Sequence, residues 1–223
     1  MLLKYKKLNP LVIVYLLFLL IFISSCAKKN SNEVEYVERN INSIYNSALL
    51  SLINKNFEKA TNEFDEVERQ HPYSVWAKKA IIMSSYSSFK NKDYIKTEAN
   101  LKRFISLYPA SEFTAYAQYL LGISYYDQIL EVNKDQTAVK EALQIFKIIL
   151  DRYESSSYAK DAYFKIIYLE NQLASKELDV AITYISLKNY ISAIKRLKYI
   201  VNNYQTTNLV PEALHRLVEV YLL

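Results

Sequence analysis

Small and large apolar residues recur along this chain at fixed spacing. Ala60 and Phe64 are followed by His71-Pro72-Tyr73-Ser74 and then Ala80. Leu101 leads through Tyr108-Pro109-Ala110-Ser111 to Ala117. Ala142 and Phe146 lead through Tyr153-Glu154-Ser155-Ser156 to Ala162. Ala193 and Leu197 lead through Tyr204-Gln205-Thr206-Thr207 to Ala213. In each copy the large residue stands 8 before the Pro/Glu/Gln position, the Ser or Thr 2 after it, and the Ala 6 further on. Fixed internal spacing between variable connections marks an array of helical repeats. Ala and a large residue at i and i+4 share one helix face, where the small one admits a neighbouring helix and the large one fills the gap. Pro ends a helix, and Ser74, Ser111, Ser156 and Thr207 stand where the next helix needs an N-cap.

From Ser43 onward the pattern predicts helices over 43–54, 57–70, 75–90, 94–107, 112–130, 137–152, 158–187, 190–203 and 210–222. Pro211 then falls in the first turn of the last helix, where a missing N–H is tolerated. The large residue recurs after 37, 45 and 51 residues. The second interval's 8 extra residues fit a longer loop around 131–136. The third interval's 14 extra residues are close to four helical turns. No Gly or Pro interrupts 157–187, so one long helix or two nearly continuous ones are expected there.

Leu121-Gly122-Ile123-Ser124-Tyr125 resembles the first helix of a tetratricopeptide repeat. Ala48, Ser85 and Gly122 lie 37 apart and are all small, where paired helices must touch. The expected fold is all-α, a tetratricopeptide-like right-handed superhelix of about five helix pairs, the last incomplete.

The front of the chain differs. Lys4, Lys6 and Lys7 precede 13 apolar residues, Leu11 to Ile23. That run fits a signal-peptide core and is shorter than the roughly 20 residues needed to span a bilayer. Ile23-Ser24-Ser25-Cys26 then resembles a bacterial lipobox, which implies removal of 1–25 and lipidation of Cys26. Residues 26–42 are polar and read as a tether, with 43–223 as the repeat domain. Ala27-Lys28 places no Asp beside the cysteine, and by resemblance this favours the outer membrane. Cys26 is the only cysteine, which excludes a disulfide or a cysteine-based metal site.

Composition removes several classes of function. A single Gly permits neither a P-loop nor a dinucleotide fingerprint. The net charge of +5 includes three Lys from 1–25; without them 25 basic side chains face 23 acidic ones, a balance of +2. That balance, with no basic block, argues against nucleic acid. His71 precedes Pro72 in the slot that Tyr fills elsewhere and reads as structural. His215 shows no carboxylate or cysteine partner at ligand spacing. Ser157-Tyr158-Ala159-Lys160 spells Ser-x-x-Lys without the other signatures of a penicillin-recognising site. Glu63, Asp65, Glu66 and Glu68 read as a solvated face. No catalytic residue, metal ligand or cofactor site is expected. Of the 21 tyrosines, most are expected at core or turn positions.

Lipobox and repeats together resemble the BamD (YfiO/ComL) family of outer-membrane assembly lipoproteins. The likeness is carried by His71-Pro72-Tyr73-Ser74, Leu101 to Pro109, Tyr119-Leu120-Leu121-Gly122, Asp135-Gln136 and Tyr168 to Ala174. The chain departs from the family's pattern at Glu154 and Gln205, which replace turn prolines, and in ending after the first helix of the last pair. The resemblance implies a non-enzymatic scaffold, lipid-anchored to the outer membrane through Cys26 and facing the periplasm. Its implied partners are the barrel-inserting subunit BamA, other assembly lipoproteins and unfolded outer-membrane β-barrel clients. A client groove is expected along the first helices of pairs one to three. Another envelope tetratricopeptide adaptor, associated with Tol or peptidoglycan, is the alternative.

Overall fold

A computed structural model describes residues 38–129 and 134–223. The described residues form helices and no strands. Pair one is α1 (Ile41–Ile53) and α2 (Phe57–Gln70). Pair two is α3 (Val75–Lys90) and α4 (Tyr94–Leu107). Pair three is α5 (Thr114–Tyr126) and α6 (Thr137–Arg152). Pair four is α7 (Ala159–Ser186) and α8 (Tyr190–Asn203), and α9 (Val210–Leu222) follows. Each helix packs on the next. The first helices of neighbouring pairs, α1 with α3 and α3 with α5, also touch. This is an all-α, tetratricopeptide-like superhelical array.

The small–large pattern is the packing rule of the array. Phe64, Leu101, Phe146 and Leu197 are all fully buried, as are Ala80, Ala117, Ala162 and Ala213. Ala48 and Ala181, like Ser85, have no exposed surface. Ala48, Ser85 and Ala181 each precede the large residue of their pair by 16 positions. Gly122 takes the same role in pair three, across the longer loop. A Cβ built on Gly122 would lie 2.8 Å from Cε1 of Phe146. Glycine is needed here for close approach and not for its backbone freedom.

The turns between pairs share one backbone pattern. The amides of His71, Tyr108, Tyr153 and Tyr204 close the preceding helix, and their carbonyls accept from the amides of Ser74, Ser111, Ser156 and Thr207. The carbonyls of those four residues accept in turn from Ala77, Thr114, Ala159 and Val210. The expected N-cap role holds only at Ser74, whose Oγ accepts from the Ala77 amide at 3.1 Å. The caps of α5, α7 and α9 are Phe113, Tyr158 and Leu209, and none caps through a side chain. α3 starts at the residue after Ser74, whereas α5, α7 and α9 start three residues after Ser111, Ser156 and Thr207, whose hydroxyls are left to other contacts. Thr207 Oγ1 donates to the Tyr204 carbonyl at 2.7 Å, and Ser156 Oγ is buried without a partner among the described residues.

The turns within pairs one, two and four explain how a chain with a single Gly folds back so often. Lys55, Lys92 and Lys188 adopt left-handed φ of 59°, 60° and 58°. Each follows a helix C-cap and closes a Schellman motif, in which the next residue's amide reaches back five positions, as Asn56 does to the Ser51 carbonyl. Asn56, Asp93 and Asn189 then cap the following helix by accepting from Lys59, Lys96 and Ser192. The motif places Lys where Gly is usual, an arrangement not recognised in the sequence.

Two helices depart from the expected bounds by two residues or more. α1 starts at Ile41, because Asn40 Oδ1 accepts from the Asn42 amide at 2.9 Å. α5 runs Thr114–Tyr126 and not 112–130: Gln128 Nε2 donates to the Ser124 carbonyl at 2.8 Å and turns the chain out of the helix. Residue 130 of that expected helix and 131–133 of the expected loop lie outside the described residues. α7 is a single helix of 28 residues, as the uninterrupted stretch implied.

Gly122→Ala, which would add about 1 kcal/mol to an ordinary helix, is expected to cost about 1–3 kcal/mol, because the added methyl meets the buried Phe146 ring. Lys92→Gly is expected to raise stability by a few tenths to about 1 kcal/mol, as relief of left-handed strain exceeds the added unfolded-state entropy. Lys92→Val is expected to lower stability by about 1 kcal/mol or more. Urea denaturation measures all three.

Candidate interaction surface

Periodicity places a half-buried strip along the first helices. On α5, Tyr116, Tyr119, Ile123 and Tyr126 follow at intervals of three and four and so share one face. On α7, Asp161, Lys165, Tyr168 and Gln172 do the same. On α3 the corresponding run is Trp76, Lys79, Met83 and Tyr86. The strip is stitched across pairs. Tyr45 of α1 packs on Trp76 with centroids 4.7 Å apart, and Lys79 Nζ lies 5.5 Å from the Trp76 ring. Tyr119 stacks on Tyr158 at 4.9 Å and donates to Asp161 Oδ2 at 2.7 Å. Lys165 pairs with that carboxylate at 3.1 Å and lies 4.8 Å above the Tyr126 ring, which packs on Tyr168 at 5.6 Å.

The surroundings of Tyr116 and Tyr119 hold their hydroxyls neutral. Burial pushes the Tyr116 hydroxyl up to about 12. Burial, then the hydrogen bond to Asp161, raises Tyr119 further. At neutral pH the strip therefore offers aromatic area with hydroxyl donors and acceptors, and no activated nucleophile. Such amphipathic rings suit contact with polypeptide. The expected groove along the first helices of pairs one to three coincides with part of this strip. The strip also extends onto α7, which the sequence did not indicate.

The sequence's other candidates resolve as follows. Cys26 and the segment 1–25 lie outside the described residues. His71 Nε2 sits 2.9 Å from the Arg39 carbonyl and ties the start of the array to the first turn. His215, expected to lack a carboxylate partner, has Glu219 at 3.3 Å, four residues on along the same helix face. Ser157, on the turn into α7, and Lys160, in its first turn, are both exposed. Among the described residues no group of three or more His, Cys, Asp or Glu could hold a metal.

The acidic run on α2 is not a solvated face. Glu63 accepts from Ser47 and Ser51 of α1 at 2.7 Å each. Asp65 pairs with Lys96 at 2.6 Å, and Glu68 accepts from both Arg103 terminal nitrogens. A second helix lies between its own first helix and the next pair, so carboxylates on two of its sides meet partners on two other helices. The Ser47 and Ser51 spacing on α1 was the signal available in sequence.

An array of paired helices with an aromatic face and buried small–large contacts defines a tetratricopeptide-like scaffold class. The profile of the YfiO family, described as outer membrane lipoprotein, matches residues 37–223. The chain belongs to that family. It is 37% identical over 215 residues to the outer membrane protein assembly factor BamD of Caulobacter vibrioides, spanning 96% of this chain and 70% of that protein. It is 35% identical over 217 residues to the BamD of Rickettsia prowazekii, spanning 97% and 85%. With the BamD of Xylella fastidiosa the identity is 27% over 219 residues, spanning 92% and 74%.

A tyrosine whose pKa is raised by folding stabilises fully below the unfolded value of about 10, and that stability is lost as pH climbs to the folded value. Unfolding midpoints in urea are expected to fall between pH 10 and 12, as Tyr116 ionises more readily in the unfolded chain. Tyr116→Phe is expected to flatten that slope; an unchanged slope would remove Tyr116 from this account.

Proposed function

We propose that this chain is an outer-membrane protein assembly factor that works by holding other polypeptides and catalyses no reaction. The single observation that carries the reading is family membership across the whole helical array, residues 37–223, together with relatives named as assembly factors over most of their length. The geometry supports it. A helical array presents a long surface to extended or helical partners, and the half-buried strip from Trp76 to Tyr168 is such a surface.

In this reading residues 1–25 are removed, Cys26 becomes the lipid anchor in the outer membrane, and 26–42 tether the array on the periplasmic side. More than one acyl chain on Cys26 would give stable attachment. The array would bind a BamA-like barrel-inserting subunit, meet other assembly lipoproteins, and receive unfolded β-barrel clients along the first helices. Phe64, Phe104 and Phe146 are fully buried, so recognition falls to the partly exposed rings of the strip.

Two measurements test the proposal. The native chain is expected to incorporate an alkyne-tagged fatty acid and to fractionate with the outer membrane, whereas Cys26→Ser is expected to do neither. Purification of the anchored protein in mild detergent is expected to bring down a β-barrel protein with soluble periplasmic domains. Recovery without such a protein, from membranes that contain one, would refute the assembly role.

A further inference from the structure

Two cavities of the array occupy equivalent places in successive pairs, and one of them lacks a wall. The first, about 290 Å3, is lined by Lys102, Ile105 and Ser106 of α4 and by Gln118 and Leu121 of α5. The second helix of its own pair, α6, supplies the third wall with Glu141, Gln144, Ile145 and Ile148. The other cavity, also about 290 Å3, is lined by Lys147, Leu150 and Asp151 of α6 and by Tyr163 and Ile166 of α7. Each of these five stands 45 residues after its counterpart. Ile167 and Glu170 of α7 complete the lining, and among the described residues the one other contributor is Thr206, from the turn after α8. No side chain of α8 lines it.

The missing wall follows from the length of α7. Ala162, set by the preceding turn, corresponds to Ala80, while Ala181, facing Leu197 of α8, corresponds to Ser85. These two frames differ by 14 residues, or about four turns. The extra turns carry α8 along to Ala174, Leu178 and Ala181, with which it shares a core. The first half of α7 packs instead on α5 and α6, in the core that holds Ala162, Ile166, Leu169 and Leu173. The stripe that a second helix covers elsewhere is therefore open. Ile81 and Ser85 of α3 are 1% and 0% exposed, and Gly122 lies against Phe146, but Tyr163 is 52% exposed and Ile167 half-buried.

We propose that this vacated place is a docking site for one amphipathic helix of a partner protein, seated on α7 as α6 is seated on α5. The occupant is defined by what fills the equivalent place in pair three: a helix with polar residues at i and i+3 and aliphatic ones at i+4 and i+7, as in Glu141, Gln144, Ile145 and Ile148. The floor is ready to receive it. Leu150, Ile166 and Ile167 are apolar, and the Glu170 carboxylate is already held by Lys147 at 2.9 Å and Thr206 at 3.1 Å. Of the charged lining residues, Lys147 and Glu170 satisfy each other, and Asp151 is exposed at the edge. The site continues the α6–α7 interface and is separate from the strip on the first helices. The inference does not depend on the assembly role, since it rests on repeat geometry alone.

The test uses the full chain in detergent and a fluorescent 16-residue peptide copying Thr137–Arg152 as the probe. A lone helix of that length is marginal in water, so it is expected to gain helical circular dichroism on binding. Saturable binding is expected by anisotropy, weakened at least about tenfold, a loss of about 1.4 kcal/mol, by Ile167→Arg in the chain or by Ile145→Glu/Ile148→Glu in the peptide. Tyr163→Glu, at the exposed rim, is expected to weaken it as well and guards against a folding defect in Ile167→Arg, whose melting curve is recorded alongside. No saturable binding, or binding indifferent to both chain variants, would overturn the proposal.

Discussion

The close approach of paired helices, at residues with little or no side chain, is the constraint on which the structure depends. Ala48, Ser85, Gly122 and Ala181 let a second helix come near enough for Phe64, Leu101, Phe146 and Leu197 to be swallowed whole. Full burial of such a side chain is worth about 1.5–3 kcal/mol, and its place fixes the register of one helix on the other. Once the pair is set, the shared turn sets the next pair, and the first helices are brought side by side. The aromatic strip exists because those faces are left over after the pairs have closed. Among the described residues, buried side chains gather into three cores, around Phe64, Phe146 and Leu197. The boundaries between them fall inside helices, between Ala80 and Ile81 of α3 and between Leu173 and Ala174 of α7. Those two helices belong to two cores each and join the array into one body.

Polar contacts perform a different task. Arg103 with Glu68, Lys96 with Asp65 and Tyr119 with Asp161 each link one pair to the next. Exposed pairs of this kind add about 0–1 kcal/mol apiece. Their effect lies in orientation, since each holds when neighbouring pairs sit at one angle. A protein that presents a surface to other polypeptides needs that angle more than it needs a reactive group.

Much of the fold was legible in the residues. α2, α3, α4, α6, α8 and α9 begin and end where the periodic apolar positions and the cap residues place them. The long α7 followed from the absence of Gly and Pro. The shared turn was legible as a phrase, but not its hydrogen bonds: α5, α7 and α9 start three residues beyond Ser111, Ser156 and Thr207, which are not the side-chain caps their identity suggests. Lys55, Lys92 and Lys188 hid three Schellman turns because left-handed φ is ordinarily read from Gly. The candidate surface was legible as a set of helices and not as side chains. Which tyrosine meets which carboxylate depends on the register between pairs, and the connections that set it vary in length. The 14 added residues were visible as length, while the open stripe at Tyr163 and Ile167 appears only once α8 is seen to have moved with them.

Residue-resolved native-state hydrogen exchange tests most directly whether small–large contacts organise the array. The slowest amides are expected in α5, α6 and the first half of α7, which share the large core around Gly122 and Phe146. Amides of α1, α2, α8 and α9, which rest on the smaller cores, are expected to open at lower free energy. Uniform protection from α1 to α9, or slowest exchange at the two ends, would contradict that organisation.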